Sequence, residues 1–199
     1  MKKPFKIIAL TGGIGSGKST ALDILRGAGF NVLSSDGIVS ELYEKRALKK
    51  FLKSLFPTAV SGIVNLKIDR KEIARITFAD KTKHAALTKH VTALVLKELI
   101  KRAEKKGGVT FAEVPLLFEC EFTPHFNGVM VITRNKEDRI QSVISRSSLT
   151  REQVLERMAA QVDYDTLDLS PYAVIENDGD KEKLKTAVLS AAKKFMTEF

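Results

Sequence analysis

A single cysteine, Cys120, is all the thiol this 199-residue chain carries. No intrachain disulfide can form from it, and no second thiol or metal-ligand spacing accompanies it to suggest structural zinc. Such usage suits a reducing cytoplasm, the compartment we expect. Long hydrophobic runs are missing as well. The longest early one, Phe5 to Leu10, is interrupted by Lys6 and runs into a glycine loop instead of a cleavage site. It is too short to span a bilayer, so neither a targeting signal nor a membrane span is expected. No internal repeat or low-complexity tract interrupts the chain, and its basic stretches lack the interleaved aromatics of a single-stranded nucleic-acid surface. A nucleic-acid partner is therefore not expected.

What the chain does have is positive charge, +9 from 33 Lys and Arg against 24 Asp and Glu. Much of the excess lies in Lys45 to Lys53 and Lys97 to Lys106, on segments that read as helices. A basic surface suits anions, whether nucleic acid, acidic lipid or phosphorylated small molecules. Most of these lysines read simply as solvated helix faces, and charge alone does not choose the partner.

Short β-branched runs alternate with helical patterns. Phe5 to Leu10 reads as a buried strand, followed by a helix over Ser19 to Ala28 with Ala21, Leu22, Leu25 and Ala28 on one face. Asn31 to Leu33 is a short second strand. From Asp36 to Lys106 the pattern is almost wholly helical: one helix ends at Pro57, one opens at Asp69 with Glu72 three residues on, and a longer one runs from about Thr82 to Gly107-Gly108. Strands resume at Val109 to Val114 and Gly128 to Ile132. Two helices lie between Lys136 and Gln161, the second opened by Thr150 with Gln153, and a strand over Tyr172 to Glu176 precedes a closing helix over Lys181 to Phe195. Helix-linked parallel strands predict a doubly wound α/β sheet of about five strands. The core would comprise residues 1–35, 108–135 and 166–199, with an inserted helical substrate-binding subdomain at 36–107 and a helical lid at 136–165.

Between the first strand and first helix stands Gly12-Gly13-Ile14-Gly15-Ser16-Gly17-Lys18-Ser19, which satisfies GxxxxGK[S/T]. Glycines let the backbone turn tightly so that successive amides point at phosphate oxygens, and the following helix adds its positive end. Lys18 would reach the β- and γ-phosphates of ATP, the Ser19 hydroxyl would help hold Mg2+, and Thr20 would sit near the α-phosphate. The bland alternative is a glycine-rich turn with an incidental lysine, which the strand and helix on either side disfavour. Asp36, just past the second strand, lies where an open α/β sheet puts its ligands. Its carboxylate could take a proton from an attacking hydroxyl, or it could cap a helix beginning at Gly37.

With these residues in place the chain resembles the dephospho-CoA kinases, P-loop kinases that phosphorylate the ribose 3'-hydroxyl of dephospho-CoA. The resemblance is carried by Leu10 to Thr20, by Pro115-Leu116-Leu117-Phe118-Glu119, and by Asp69-Arg70, Phe78 and His90 in order. Arg146, Arg157 with Gln161, and Asn177 with Gly179 resemble the family's lid and nucleotide-base elements. It implies ATP and Mg2+ as cofactors and dephospho-CoA as substrate. It further implies Asp36 as catalytic base, Arg146 as a lid arginine closing over the phosphates, and Asn177 near the nucleotide. His90, Leu116, Glu119, Arg157 and Gln161 would line the acceptor side, and Glu113 would have an indirect magnesium role. A packed or surface histidine is the alternative for His90, and Arg139 reads as a solvent-facing arginine on an amphipathic helix. Other readings are a kinase for a nucleotide or another small alcohol, or a nucleotide-binding regulatory module without catalysis. The chain departs from the family at Ser34-Ser35-Asp36, which has one carboxylate where a pair is usual, and at Val91, which replaces proline after His90. It departs again at Ser142, which stands at an arginine position, and at Pro171-Tyr172. The resemblance thus implies a divergent member.

Overall fold

The structure is a computed structural model describing residues 4–197. Strands form on short apolar runs, β1 (Phe5–Thr11), β2 (Asn31–Ser34), β5 (Gly108–Glu113), β6 (Gly128–Thr133) and β7 (Ala173–Glu176), with the three central ones buried and the two edge strands partly exposed. They make a five-stranded sheet in the order β2-β5-β1-β6-β7, with every neighbouring pair parallel. This is the doubly wound sheet that the alternating pattern predicts. Its register sets Leu10 of β1 beside Glu113 of β5, and Glu113 beside Ser34 of β2. The ends of three strands thus bring one glycine loop, one carboxylate and one hydroxyl to the same carboxyl edge, where parallel sheets bind ligands.

Helices α1 (Lys18–Gly27) and α8 (Lys181–Thr197) pack on this sheet. Ala21, Leu22 and Leu25 from α1 and Leu184, Val188 and Ala192 from α8 share one cluster with Ile8, Leu10, Phe111, Met130 and Ile132. Each fully buried Leu or Ile contributes roughly 1.5–3 kcal/mol, so this layer anchors the loop that joins β1 to α1. Helices α6 (Lys136–Arg146) and α7 (Arg151–Ala159) form a second cluster of Ile140, Val143 and Val154, against which Ile14 of the glycine loop packs. The Thr150–Gln153 capping box that opens α7 is present in both directions.

The chain divides into two compact units, one made of the chain up to Ser34 together with everything from Ile100 on, the other of Ser35–Leu99. The second holds α2 (Ser35–Glu44), α3 (Arg46–Leu55), α4 (Arg70–Ala79) and most of α5 (Lys81–Lys106). A short hairpin interrupts the almost wholly helical pattern there. Val60–Ser61 (β3) and Lys67–Ile68 (β4) pair antiparallel. Two-residue strands are too short to leave a period-2 signature, and Gly62, at φ +88°, supplies the reversal. Asp69 caps α4 by accepting the Lys71 and Glu72 amides, both at 3.0 Å. Leu48 and Leu52 form the buried side of α3, and Phe56, just past its end, is buried as well. Part of the basic run is paired, Lys45 with Glu98 at 3.1 Å and Lys49 with Glu44 at 3.0 Å. Among the described residues no helix is long and apolar enough to cross a membrane.

Candidate active site

The glycine loop turns from β1 into α1 with Gly17 as the helix N-cap in the left-handed region, φ +104°. A side chain there would be strained, and its Cβ would run into the amide of Asn177. That amide has a task of its own. Asn177, buried just past β7, donates to the Ser16 carbonyl at 2.8 Å and accepts the Gly179 amide at 3.2 Å, tying the loop to the far edge of the sheet. Lys18 Nζ donates to the carbonyls of Gly12 at 2.7 Å and Gly13 at 3.0 Å. The ammonium is therefore folded back onto the backbone of the loop it follows. Thr20 is exposed on the first turn of α1.

Glu113, buried at the end of β5, is shared by two hydroxyls: Ser19 donates to Oε1 at 3.4 Å and Ser34 to Oε2 at 3.2 Å. Hard oxygen donors beside a phosphate-binding turn fit a small divalent cation that takes most of its ligands from phosphate and water. Among the described residues no cluster of three or more His, Cys, Asp or Glu could hold a metal by itself. A nucleotide-borne ion is the kind these residues fit.

The segment that follows α7 closes over the loop. Gln161 Oε1 accepts the Ile14 amide at 2.8 Å, and the Tyr164 hydroxyl pairs with Thr11 Oγ1 at 3.2 Å. Burial pushes the Tyr164 phenol up to about 12, against the pull of its Thr11 hydrogen bond. Glu119 of the Pro115–Glu119 motif reaches the same segment, its Oε1 accepting the Val162 amide at 3.0 Å. Leu116 is half-buried in the turn after β5. Phe118 packs on Tyr164 and Tyr172, with ring centroids 5.9 and 5.4 Å apart. A cavity of about 390 Å³ adjoins this segment, lined among others by Lys136, Arg139, Met158 and Gln161.

The structure thus gathers the loop, Lys18, Ser19, Glu113, Glu119, Gln161 and Asn177 within one unit. Arg146, the last residue of α6, and Arg157 on α7 are exposed. Asp36 and His90 belong to the other unit. Asp36 is exposed and lies inside the first turn of α2, which starts at Ser35, so it is not the N-cap of a helix beginning at Gly37. The His90 ring stacks on Phe51 with centroids 3.7 Å apart and planes 15° from parallel.

One expectation is overturned. Arg139 is not a solvent-facing arginine: it is 5 % exposed, ion-paired with Asp165 at 3.1 Å and packed against the glycine loop. It shares the inward face of α6 with Ile140 and Val143, so its place in that stripe was the available signal. Tyr164 and Asp165 carry no expectation from the sequence, and Ser34 enters there only as a departure from the family, since nothing in their immediate sequence marks a partner so far along the chain.

Comparison with known proteins identifies the family and the fold. The family model for dephospho-CoA kinase matches residues 6–183. A dephospho-CoA kinase from Thermus thermophilus is 36 % identical over 186 residues, covering 92 % of this chain and 88 % of that one. A solved structure from Thermus thermophilus superposes with a TM-score of 0.81 at 34 % identity, covering 97 % of this chain and 98 % of the other. The dephospho-CoA kinase of Campylobacter jejuni, at 22 % identity and a TM-score of 0.69 over 96 % of this chain and 98 % of its own, shares the fold. A family model matched over residues 6–183 and a relative 36 % identical across nine-tenths of the chain establish that this chain belongs to the dephospho-CoA kinase family.

Proposed function

We propose that this kinase transfers the γ-phosphate of Mg2+-bound ATP to the ribose 3'-hydroxyl of dephospho-CoA, completing coenzyme A in the cytoplasm. The observation that carries the reading is the convergence at the sheet's carboxyl edge of the Lys18 ammonium, the loop amides and the Ser19–Glu113 pair. Loop amides and the α1 N-terminus hold the β-phosphate region, and Lys18 leaves the Gly12 and Gly13 carbonyls for the β- and γ-oxygens. The Ser19 hydroxyl would hold Mg2+ directly and Glu113 would act through its waters. When bound, the ion supplies charge neutralisation on the phosphate oxygens.

Asp36 serves as the base that takes the 3'-hydroxyl proton as the oxygen attacks phosphorus in line. It is exposed and only two residues beyond Ser34, whose hydroxyl already binds Glu113. Arg146, exposed at the end of α6, folds over the transferring group and stabilises charge that develops there. Arg157, Leu116, Glu119, Gln161 and His90 are the residues we assign to acceptor binding. Asn177 keeps the loop and the nucleotide base in register.

Incubation with ATP, Mg2+ and dephospho-CoA should yield CoA and ADP by mass, and Asp36→Asn should abolish that product while ATP still binds. Full turnover by the Asn variant would remove Asp36 from its role, and absence of CoA with the wild type would remove the acceptor.

A further inference from the structure

Arg139 touches the phosphate loop twice. Its guanidinium lies so close to Gly13 that a Cβ there would collide with Nη1, and its main-chain carbonyl lies equally close to Gly15, whose φ is +79°. Side chain and backbone of one residue therefore wall two points of the same turn. Nη2 donates to both Asp165 oxygens, at 3.3 and 3.1 Å. Asp165 belongs to the segment that carries Gln161 and Tyr164, which hold Ile14 and Thr11. The loop is thus enclosed between the first turn of α6 and residues 161–165, and the Arg139–Asp165 pair joins the two.

We propose that Arg139, oriented by Asp165, is a positioning residue for phosphoryl transfer: it fixes the curvature of the phosphate loop so that its amides and Lys18 meet the nucleotide in register. The inference rests on this loop binding ATP.

Two physical points support it. Asp165 is half-exposed while the Arg139 side chain is 6 % exposed, so the guanidinium is the member of the pair held inside the protein, against the loop. Arg139 Nε is buried with no hydrogen-bond partner, which leaves the pair anchored through one edge of the guanidinium. The second point is space. Arg139 borders a void of about 10 Å³ with Gly13, Ser16, Arg134, Tyr164 and Asp165, about the room of one water. Shortening Arg139 would open this void and leave Gly13 and Gly15 without their wall, and a misplacement of about 1 Å in such a constellation costs up to ~10²-fold in rate.

The test is steady-state kinetics on R139Q, D165N and the double variant, with thermal melts on each. D165N changes a half-exposed side chain, so it decides the question even where R139Q fails to fold. The expected result is a fall in kcat of at least about fivefold and a raised KM for ATP in each single variant, with an unchanged KM for dephospho-CoA. The double variant should be no worse than the more impaired single, within about twofold, because one pair is being removed. A smaller fall in D165N or in folded R139Q overturns the proposal, as do losses that multiply in the double variant. So does a lowered melting temperature with kcat and KM intact, which would make the pair a stabilising contact alone. Lys18→Ala separates the two ideas: full activity in that variant would sink the loop's role, whereas its inactivity beside a normal D165N would sink only the role of Arg139.

Discussion

Gln161 and Ile14 are joined across 147 positions by one hydrogen bond, the side-chain oxygen of the first accepting the main-chain N–H of the second at 2.8 Å. The bond fixes the middle of the phosphate loop from outside, while the Ile14 side chain packs among α6 and α7. The loop is held by its surroundings as much as by its own glycines.

Gln161→Leu should therefore leave a half-buried amide without an acceptor, at a cost of about 1–3 kcal/mol. Thermal or urea unfolding should show that loss. Gln161→Glu, which keeps an acceptor oxygen, should unfold close to the wild type.

Ser19→Ala and Glu113→Gln should raise the Mg2+ concentration that gives half-maximal turnover. Loss of a ligand or of the group that orients it costs roughly 10–100-fold in metal affinity. A magnesium titration at saturating ATP measures it, and a curve unchanged in both variants would remove them from the metal site.

Tyr164 predicts an alkaline limb. Its phenol is raised from 10.0 to about 12 in the fold, chiefly by burial, so the native state keeps a proton that the unfolded chain releases. This contribution to stability is fully present below pH 10 and is lost as pH rises from about 10 through 12. Tyr164→Phe should flatten unfolding free energy across that window, and an absorbance titration of tyrosinate should lose its late-titrating component.

Phe111 sits fully buried in β5, edge-on to Phe30 at 5.5 Å and to Phe195 at 6.4 Å between centroids. Phe111→Ala should cost about 3–5 kcal/mol by denaturant unfolding. Val174→Ala, at a 46 % exposed position of edge strand β7, should stay within about 0.5 kcal/mol.

Much of this molecule is readable residue by residue. The GxxxxGK[S/T] turn, the strands around it and the cap residues Asp69 and Thr150 are local, because hydrophobic period and capping chemistry act within a few positions. The β3–β4 hairpin was missed because two-residue strands carry no period. Arg139 was misread because a charged residue in an apolar stripe looks like surface until its partner is known. The roles of Gln161 and Asn177 illustrate the same gap: each was marked by family resemblance, and neither spacing says that its amide binds the loop backbone.

The amino-acid sequence by itself determined the strands of the main sheet and the helices between them, the glycine turn and the kinase family, since each follows from short-range pattern or from motif. Tertiary structure alone decided that Glu113 is shared by Ser19 and Ser34, that Tyr164 is buried against Thr11, and that Arg139 and Asp165 lock two segments around the loop. Those pairings join residues from 26 to 153 positions apart. Parallel strand register and the closing segment after α7 bring them together, and neither is encoded in the neighbourhood of any one of them.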